Sequence, residues 1–330
     1  MRDDVAPLLE VENLRVRFGT QVDAVRGVSL TVRKGETHCL VGESGCGKSV
    51  SALAIMGLLT RSAARTADTL RFGGENLIGI KDRALAKLRG DRMAMIFQEP
   101  MTSLNPAFTV GSQLAEVLQR HRKATRAQSL ERAAELLAKV GISNPGLRLG
   151  QFPHQLSGGL RQRVMIAMAL MCDPELLIAD EPTTALDVTV QAQILRLLLG
   201  LQRELGLAIL LITHDLGVVA RVAHRVSVMY AGEVVESATA PALFAGPTHP
   251  YTHGLLACVP VPGQVRRGEP LGSIPGTVPR LAPGLRGCAF RERCAHAVAA
   301  CADAVPTHYR GPDHPYRCRL SSDWAEARAA

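Results

Sequence analysis

A glycine-rich stretch, GESGCGKS at residues 42 to 49, ends in a lysine and a serine. It satisfies the pattern G-x-x-x-x-G-K-[ST] at every fixed position. The β-type run ETHCLVG (36 to 42) precedes it, and VSALAIMGLL (50 to 59) has a helix-forming composition. A strand, a glycine-rich loop and a helix in this order direct backbone N–H groups at phosphate oxygens. We therefore expect a nucleotide to bind at Gly42, Glu43, Ser44, Gly45, Cys46, Gly47, Lys48, Ser49 and Val50.

Three positions of this loop have distinct expected roles. Lys48 is expected to reach the β- and γ-phosphates, and the hydroxyl of Ser49 to bind Mg²⁺. Cys46 occupies a position where the backbone matters more than the side chain. Its thiol is therefore interpreted as incidental, with redox sensitivity as the alternative.

Two further segments end in polar residues suited to phosphate chemistry. ELLIADEP (175 to 182) is an apolar strand that closes on Asp180 and Glu181. Asp180 is placed to anchor Mg²⁺ and Glu181 to accept a proton from an attacking water. LAILLITHD (207 to 215) is a second buried strand, and His214 at its tip is expected to hydrogen-bond the γ-phosphate.

Four of the eight cysteines lie in the last 43 residues, with spacing C-x(5)-C-x(6)-C-x(16)-C. In a reducing compartment such a cluster indicates metal ligation before disulfides, although the spacing is not the C-x₂-C of common zinc knuckles. Four thiolates suit a [4Fe–4S] cluster or tetrahedral Zn²⁺, and unligated or disulfide-linked thiols remain open. The candidate ligands are Cys288, Cys294, Cys301 and Cys318.

The elements that must position these residues follow a recognisable order. Residues 8 to 33 alternate as β-strands do, and residues 99 to 172 contain amphipathic helices at 110 to 121 and 127 to 142, the second ended by Pro145-Gly146. Strands then alternate with helices to about residue 237, which predicts an α/β fold with a parallel sheet. From residue 241, dense proline and glycine predict an irregular appendage.

Chain length, aromatic content and net charge limit the classes of protein to which this chain can belong. The 330 residues suggest about two domains, and only 4% are aromatic, which argues against a stacking platform for single-stranded nucleic acid. The net charge of +8 is interpreted as a solvated basic surface, with attraction to anionic lipid or a polyanion as the alternative.

We see no signal peptide and no apolar run near the ~20 residues of a membrane span. The chain is expected to be soluble, or peripheral to a membrane through a partner.

HQLSGGLRQRV (154 to 164) resembles the signature of ATP-binding-cassette (ABC) ATPases. The resemblance covers about residues 8 to 237 and includes Phe18 for adenine stacking, Gln98 in MIFQEP and Asp187 after TTAL. Leu160 departs slightly from relatives, which often carry Met or Gln. The implied fold is a phosphate-loop ATPase at residues 1 to 240: a RecA-like core, an antiparallel β subdomain and a helical subdomain at about 99 to 172.

The same resemblance implies a division of labour. Lys48, Gln98, Glu181 and His214 would be catalytic, and Ser49, Gln98 and Asp180 would hold Mg²⁺ beside ATP. Ser157, Gly158 and Gly159 open a helix, whose N–H groups would bind the γ-phosphate held by a second ATPase subunit. The chain would therefore work in a dimer, with a distinct homologue favoured over an identical copy.

The C-terminal extension (residues 241 to 330) carries THPYTHGLLACVP, IPGTVP and GC-x-F-x-x-RC, the last containing Phe290 and Arg293. These resemble the extension of ATPases from oligopeptide and dipeptide importers, whose substrates include peptides and, in some branches, nickel complexes or other solutes. The resemblance favours a structural [4Fe–4S] cluster and leaves His296, His308 and His314 as surface residues.

The implied assembly has two membrane permeases, two ATPases and an extracytoplasmic solute-binding protein, and involves no nucleic acid. The permeases would dock near Gln98, at EPMTSLNPAF (99 to 108), on the cytoplasmic face of a bacterial inner membrane. Three other functions remain: a soluble ABC ATPase acting on DNA or ribosomes, an exporter ATPase, and a regulatory subunit that does not hydrolyse ATP. The single cassette argues against the soluble ATPase, and the importer-type extension argues against the exporter. The intact Glu181 and His214 argue against the regulatory subunit.

Overall fold

A computed structural model describes residues 6–98, 103–184, 186–259, 272–322 and 324. Its internal contacts divide the chain into two compact units. Unit 1 comprises Met1–Leu8, Val32–Glu36 and Gly79–Leu211, and unit 2 comprises Leu9–Thr31, Thr37–Ile78 and Ile212–Ala330.

The strands of the described residues are β1 (Leu9–Phe18), β2 (Val22–Val32), β3 (Thr37–Val41), β4 (Ala63–Thr66), β5 (Thr69–Phe72), β6 (Glu75–Asn76), β7 (Met93–Ile96), β8 (Leu176–Asp180), β9 (Ala208–Thr213), β10 (Arg225–Tyr230), β11 (Glu233–Thr239), β12 (Thr307–Tyr309) and β13 (Pro315–Arg317). The α-helices are α1 (Lys48–Met56), α2 (Asp82–Leu88), α3 (Val110–Arg122), α4 (Arg126–Lys139), α5 (Pro145–Leu149), α6 (Gly158–Ala169), α7 (Val188–Leu205), α8 (Leu216–Val222), α9 (Ala240–Ala245) and α10 (Pro250–Ala257). Single 3₁₀ turns lie at Pro153–Gln155 and Ala299–Ala302.

Unit 2 contains the β-rich part of the chain. An antiparallel sheet has the order β2-β1-β5-β6, with β4 also paired to β1, which confirms the β-rich start predicted from alternation. A second set of strands in this unit runs β12-β13-β11-β10-β3. In it β3 and β10 are parallel, with Arg225 opposite His38. Every residue of β3 is buried, as expected for a strand that leads into a binding loop.

Unit 1 contains the helical part and strands in the order β9-β8-β7, of which β7 and β8 are parallel. Two of its helices begin at threonine caps. Thr109 accepts a hydrogen bond from Ser112 N at the start of α3, and Thr125 forms a capping box with Gln128 at the start of α4. The two amphipathic helices predicted from periodicity are therefore confirmed.

One helix boundary differs from the prediction. Helix α4 ends at Lys139, and Gly141 follows with φ +78°. Pro145 does not end that helix but occupies the first turn of α5. Proline suits this position because its missing N–H would have no partner in the first turn and its φ is already helical.

The C-terminal extension is more regular than predicted. It contains α9, α10 and the hairpin of β12 and β13, and β13 pairs with β11 through Tyr316 and Glu236. Helix α10 begins at a cap, since the Nδ1 of His249 accepts a hydrogen bond from the N–H of Tyr251 and Pro250 occupies the first turn. The prediction of an irregular extension was wrong here because this His-Pro start was not interpreted as a helix signal. Within the described part of the chain, no helix has the length and apolar character needed to cross a bilayer.

Candidate functional site

The phosphate loop (residues 42 to 49) lies in unit 2 between β3 and α1, in the predicted strand–loop–helix order. Two of its glycines allow a close backbone approach that no other residue permits. A Cβ at Gly42 would lie 2.1 Å from the carbonyl oxygen of Met229, and a Cβ at Gly47 would lie 2.4 Å from that of Ala24. Gly47 also has φ +103°. The N-terminus of α1 is thus presented on a loop that requires glycine at both positions.

The Lys48 side chain folds back over this loop and is 5% exposed. Its Nζ donates to the carbonyl oxygens of Gly42 (2.8 Å) and Glu43 (3.0 Å), and the Cys46 Sγ lies 3.8 Å away. The positive charge is therefore held over the loop, next to the N-terminus of α1, where it can help to receive an anion. Ser49 follows in the first turn of α1.

Cys46 is fully buried beneath the loop. Burial raises the pKa of its thiol, and the nearby Lys48 ammonium only partly opposes this. Reactive cysteines are exposed and have low pKa values, so Cys46 has the properties of a packing residue. This agrees with the interpretation of its thiol as incidental to the chemistry.

Two further predicted residues lie in unit 2. Phe18 is half-buried at the end of β1, paired with Ala63. His214 directly follows β9 and is exposed. The next residue, Asp215, caps α8 by accepting a hydrogen bond from the N–H of Val218 at 3.1 Å. The cap fixes the chain direction immediately after His214.

In unit 1 the buried strand β8 ends at Asp180, which is 5% exposed, and Glu181 follows. Glu181 has φ +45°, a left-handed conformation that costs a non-glycine residue about 1–3 kcal/mol. Its carboxylate oxygen Oε2 accepts hydrogen bonds from Thr184 Oγ1 at 2.8 Å and from Gln98 Nε2 at 3.3 Å. Strain at this residue, together with two side-chain donors, fixes the direction of the carboxylate.

The predicted signature also lies in unit 1 and forms a helix N-terminus. Ser157 caps α6, and Gly158 and Gly159 are its first residues. A Cβ at Gly159 would lie 3.0 Å from the Cγ1 of Val190, so α6 approaches α7 closely at this point. Asp187 caps α7 by accepting a hydrogen bond from the N–H of Val190 at 2.9 Å. The N–H groups at the start of α6 can receive an anion.

Sequence reasoning did not find two residues that contact the phosphate loop from within unit 2. The Nη1 of Arg293 lies 3.0 Å from both carboxylate oxygens of Glu43, and Tyr251 Oη accepts a hydrogen bond from the N–H of Glu43 at 3.0 Å. The sequence places Arg293 in the GC-x-F-x-x-RC pattern, but a separation of 250 residues gives no local signal for the contact.

The four cysteines of the extension line one cavity of about 210 Å³, the cysteine cavity, whose walls also include Phe290, Val305 and Leu320. The N–H of Cys288 donates to the carbonyl of Cys301 at 2.8 Å, which joins two of the cysteine segments. Burial raises the pKa of the Cys288 and Cys294 thiols, and that of Cys318 to about 11. Among the described residues, no set of three or more His, Cys, Asp or Glu side chains converges closely enough to hold a single metal ion. The four thiols line one cavity without converging on a single point.

His314 is not the surface residue that we predicted. It is 7% exposed, and its Nε2 lies 2.7 Å from a carboxylate oxygen of the fully buried Glu236. The same carboxylate accepts hydrogen bonds from the N–H groups of Thr248 (2.7 Å) and His249 (2.9 Å). These contacts attach the hairpin and the start of α10 to β11. Of the other two histidines, His308 is exposed, as predicted. His296 packs against Trp324 in a tilted arrangement, with ring centroids 4.6 Å apart.

The predicted docking segment is only partly described. Residues 99–102 lie outside the described residues, whereas Phe108 near its end is 54% exposed. Leu147, also in unit 1, is 66% exposed.

Comparison with known proteins identifies two family regions. Residues 25–184 match the ABC transporter family, and residues 235–301 match the family described as "Oligopeptide/dipeptide transporter, C-terminal region". The second match includes three of the cavity cysteines and ends before Cys318.

Curated relatives and solved structures agree with these matches. The chain is 50% identical to a probable peptide ABC transporter ATP-binding protein of Sinorhizobium fredii, over 96% of each chain. It is 49% identical to a dipeptide transport ATP-binding protein of Bacillus subtilis (97% of this chain, 96% of the relative) and 50% identical to one of Escherichia coli (91% and 92%).

A dimeric ATP-binding cassette solved in a post-hydrolysis state with ADP and phosphate is 28% identical, with a TM-score of 0.62 over 70% of this chain and 98% of that one. A cassette of a Clostridium perfringens ABC transporter complex is 27% identical, also with a TM-score of 0.62, over 72% and 91%. The α/β fold predicted from the sequence is therefore confirmed as that of an ABC ATPase. The chain belongs to the ATP-hydrolysing subunits of ABC transporters, in the branch that carries the oligopeptide/dipeptide transporter C-terminal region.

Proposed function

We propose that this chain energises the import of di- and oligopeptides through a membrane transporter. The observation that carries the proposal is that one chain combines the Glu181 carboxylate, which accepts two side-chain hydrogen bonds, with the peptide-type extension. Relatives about 50% identical over nearly the whole chain are named peptide or dipeptide transport proteins, which supports peptides over nickel complexes as the substrate.

In this proposal the phosphate loop and Lys48 bind the triphosphate of ATP, and Phe18 stacks on adenine. Ser49, Asp180 and Gln98 would hold Mg²⁺, which would neutralise charge on the phosphates when bound. These three residues offer a hydroxyl, a buried carboxylate and an amide oxygen, and Mg²⁺ accepts all three types of oxygen ligand. Glu181 orients and polarises the attacking water, and His214 donates to the γ-phosphate. Catalysis then consists of positioning and charge stabilisation.

The signature requires a second ATPase subunit. Ser157, Gly158 and Gly159 present helix N–H groups that would bind the γ-phosphate held by the partner, and Asp187 holds the adjoining helix. ATP would close the pair and hydrolysis would release it. A similar cassette has been solved as a dimer, which supports this arrangement, and a distinct homologue remains the expected partner.

Two permeases would receive this motion at the helical region of unit 1. The segment at 99 to 108 remains the expected docking site, and exposed Phe108 and Leu147 supply apolar side chains for it. An extracytoplasmic binding protein would deliver the peptide. We place the subunit on the cytoplasmic face of the bacterial inner membrane, attached through these permeases.

The cysteine cavity is proposed to hold a [4Fe–4S] cluster, with Cys288, Cys294, Cys301 and Cys318 as ligands. Four thiols around one largely apolar space provide the number and type of donor that such a cluster needs. When bound, it would crosslink the segments of an extension that has little core of its own. Anaerobic purification with an iron assay tests this: about four irons per chain supports the cluster, whereas one zinc or free thiols without metal contradicts it.

Uptake in cells tests the peptide assignment. A strain that lacks this chain should lose uptake of a labelled di- or tripeptide and recover it with the wild-type chain but not with Glu181→Gln. A strain that keeps full peptide uptake but loses uptake of nickel would support the alternative importer.

A further inference from the structure

Glu43, the second residue of the phosphate loop, has each of its three polar groups engaged. Its carbonyl accepts a hydrogen bond from Lys48 Nζ at 3.0 Å. Its N–H donates to Tyr251 Oη, and its carboxylate accepts from Arg293 Nη1, both at 3.0 Å. Tyr251 and Arg293 belong to the C-terminal extension, so the extension holds the loop at a residue next to the expected phosphate-binding N–H groups.

Arg293 is itself held rigidly. Its Nε and Nη2 donate to the carbonyls of Pro275 (2.8 Å) and Ile274 (3.0 Å), which leaves Nη1 directed at Glu43. The guanidinium carbon lies 5.8 Å from the ring centroid of Tyr230 and 5.9 Å from that of Phe290. The side chain is only 6% exposed. A charged group fixed by two carbonyls and two rings loses little entropy when it binds a carboxylate.

The aromatic residues join both anchors into one block. Tyr230 packs against Tyr251 with ring centroids 4.5 Å apart, and Phe290 lies 5.3 Å from each ring. Phe290 and Arg293 come from the cysteine-bearing segment, whereas Tyr251 comes from α10. A displacement of either segment would therefore disturb Glu43.

We propose that Arg293 and Tyr251 are positioning residues for ATP binding: the extension fixes the phosphate loop through Glu43 and neutralises its carboxylate. The inference rests on the proposed function and deepens it. Two physical effects act together. The contacts restrict the loop backbone at Glu43, and the Arg293 charge offsets a carboxylate that would otherwise repel the phosphates of ATP.

The test uses the purified full-length chain and MgATP. We would measure the Kd by calorimetry and, without nucleotide, hydrogen exchange in peptides covering residues 42 to 49. Arg293→Gln should raise the Kd about tenfold, as expected for loss of a charge-assisted hydrogen bond that leaves a partly buried carboxylate unpaired, and should speed exchange in the loop. Arg310→Gln is the matched control, since Arg310 belongs to the same extension but donates to the carbonyl of Gly246. It should change neither quantity.

A double-mutant cycle separates charge from restraint. Adding Glu43→Gln to Arg293→Gln removes the unpaired carboxylate and should recover part of the lost affinity, while loop exchange stays fast. Arg293→Lys keeps the charge but loses the two carbonyl contacts and should fall between wild type and Arg293→Gln.

Wild-type affinity and wild-type loop exchange in Arg293→Gln would overturn the inference. If Arg293→Gln does not fold, Tyr251→Phe decides, because it removes only the acceptor for the N–H of Glu43: faster loop exchange supports the inference and unchanged exchange overturns it. A wild-type chain that binds no ATP would contradict the proposed function instead, and the exchange measurement would still decide this inference.

Discussion

The amide Nε2 of Gln98 donates to the carboxylate Oε2 of Glu181 at 3.3 Å. Gln98 lies shortly after the end of β7, and Glu181 directly follows β8, the parallel strand that pairs with β7. This contact gives the proposed Mg²⁺-binding amide and the proposed general base a common hydrogen bond. The orientation of the Glu181 carboxylate is therefore linked to the position of the Gln98 side chain.

Replacement of Glu181, the proposed general base, should reduce ATP hydrolysis without weakening ATP binding. Glu181→Gln keeps the size and a hydrogen-bonding group but removes the carboxylate that polarises water. We expect the rate of ATP hydrolysis to fall about 10²- to 10⁴-fold with the Kd for ATP within about threefold of wild type, since the phosphate loop is unchanged. Single-turnover hydrolysis and calorimetry check both quantities. Hydrolysis at the wild-type rate would assign the base elsewhere.

Thr184 should act through Glu181. Its hydroxyl donates to the Glu181 carboxylate at 2.8 Å, and its N–H donates to the Glu181 carbonyl at 3.1 Å. Thr184→Val removes the hydroxyl in a similar shape and should lower kcat about tenfold while KM stays near wild type. Thr184→Ser keeps the donor and should retain most activity. Loss of activity in Thr184→Ser, with activity retained in Thr184→Val, would show that the methyl group, not the hydroxyl, is needed.

Two glycines of the phosphate loop should differ in their tolerance of alanine. A Cβ at Gly45 meets no atom within 4 Å, whereas one at Gly47 would lie 2.4 Å from a backbone oxygen. Both have positive φ, so Gly45→Ala should cost about 1–2 kcal/mol of unfolding free energy from backbone strain alone. Gly47→Ala should cost more than about 3 kcal/mol because the backbone must also move. Urea denaturation of the two variants compares them directly, and equal costs would contradict the predicted clash.

Acid should destabilise unit 2 through His249. Burial lowers the pKa of His249 to about 4, and the nearby carboxylate of Glu236 only partly opposes this. Its Nδ1 accepts the N–H of Tyr251, so the folded state requires the neutral ring. An unfolded histidine titrates near ~6.5, so the unfolded chain binds the proton first as the pH falls from that value towards 4. The contribution of neutral His249 to the free energy of unfolding is complete above about pH 7. It should be about 2 kcal/mol smaller at pH 5.

Glu236 acts in the same direction at lower pH. Burial opposes its ionised form, but hydrogen bonds from His314 and from the N–H groups of His249 and Thr248 outweigh this and lower its pKa. The stability it contributes is present above the pKa of an unfolded glutamate and is lost as the pH falls through the lower folded value. Denaturant titrations at pH 7 and pH 5 measure the loss. His249→Asn keeps a cap acceptor without a titrating ring, and should remove most of the loss between these two values. An unchanged pH dependence in this variant would contradict the assignment.

Much of the site was predictable because it depends on local patterns. The phosphate loop, β8 ending at Asp180 and the glycines that open α6 each combine a short motif with the element that precedes or follows it. Such arrangements are set by residues within about ten positions of one another. The structure confirms the elements at each of these places.

The remainder depends on distant contacts or on backbone strain. Nothing in the residues around Glu181 predicts its φ of +45°, since left-handed glutamates are uncommon. The contact between Arg293 and Glu43 joins segments 250 residues apart. His314 was predicted at the surface because its buried partner, Glu236, lies on a strand 78 residues earlier. Helix α10 is different, since the His-Pro start at residues 249 and 250 was a local signal that could have been used.

The central claim is tested most directly by reconstituting the complex of this chain, its ATPase partner and the permeases in proteoliposomes, and measuring ATP hydrolysis with and without peptide-loaded binding protein. The account predicts that peptide-loaded binding protein stimulates hydrolysis, that labelled peptide crosses the membrane at the same time, and that Glu181→Gln in this chain lowers both rates. Hydrolysis that no peptide stimulates, with no peptide crossing the membrane, would contradict the assignment of this chain as the ATPase of a peptide importer.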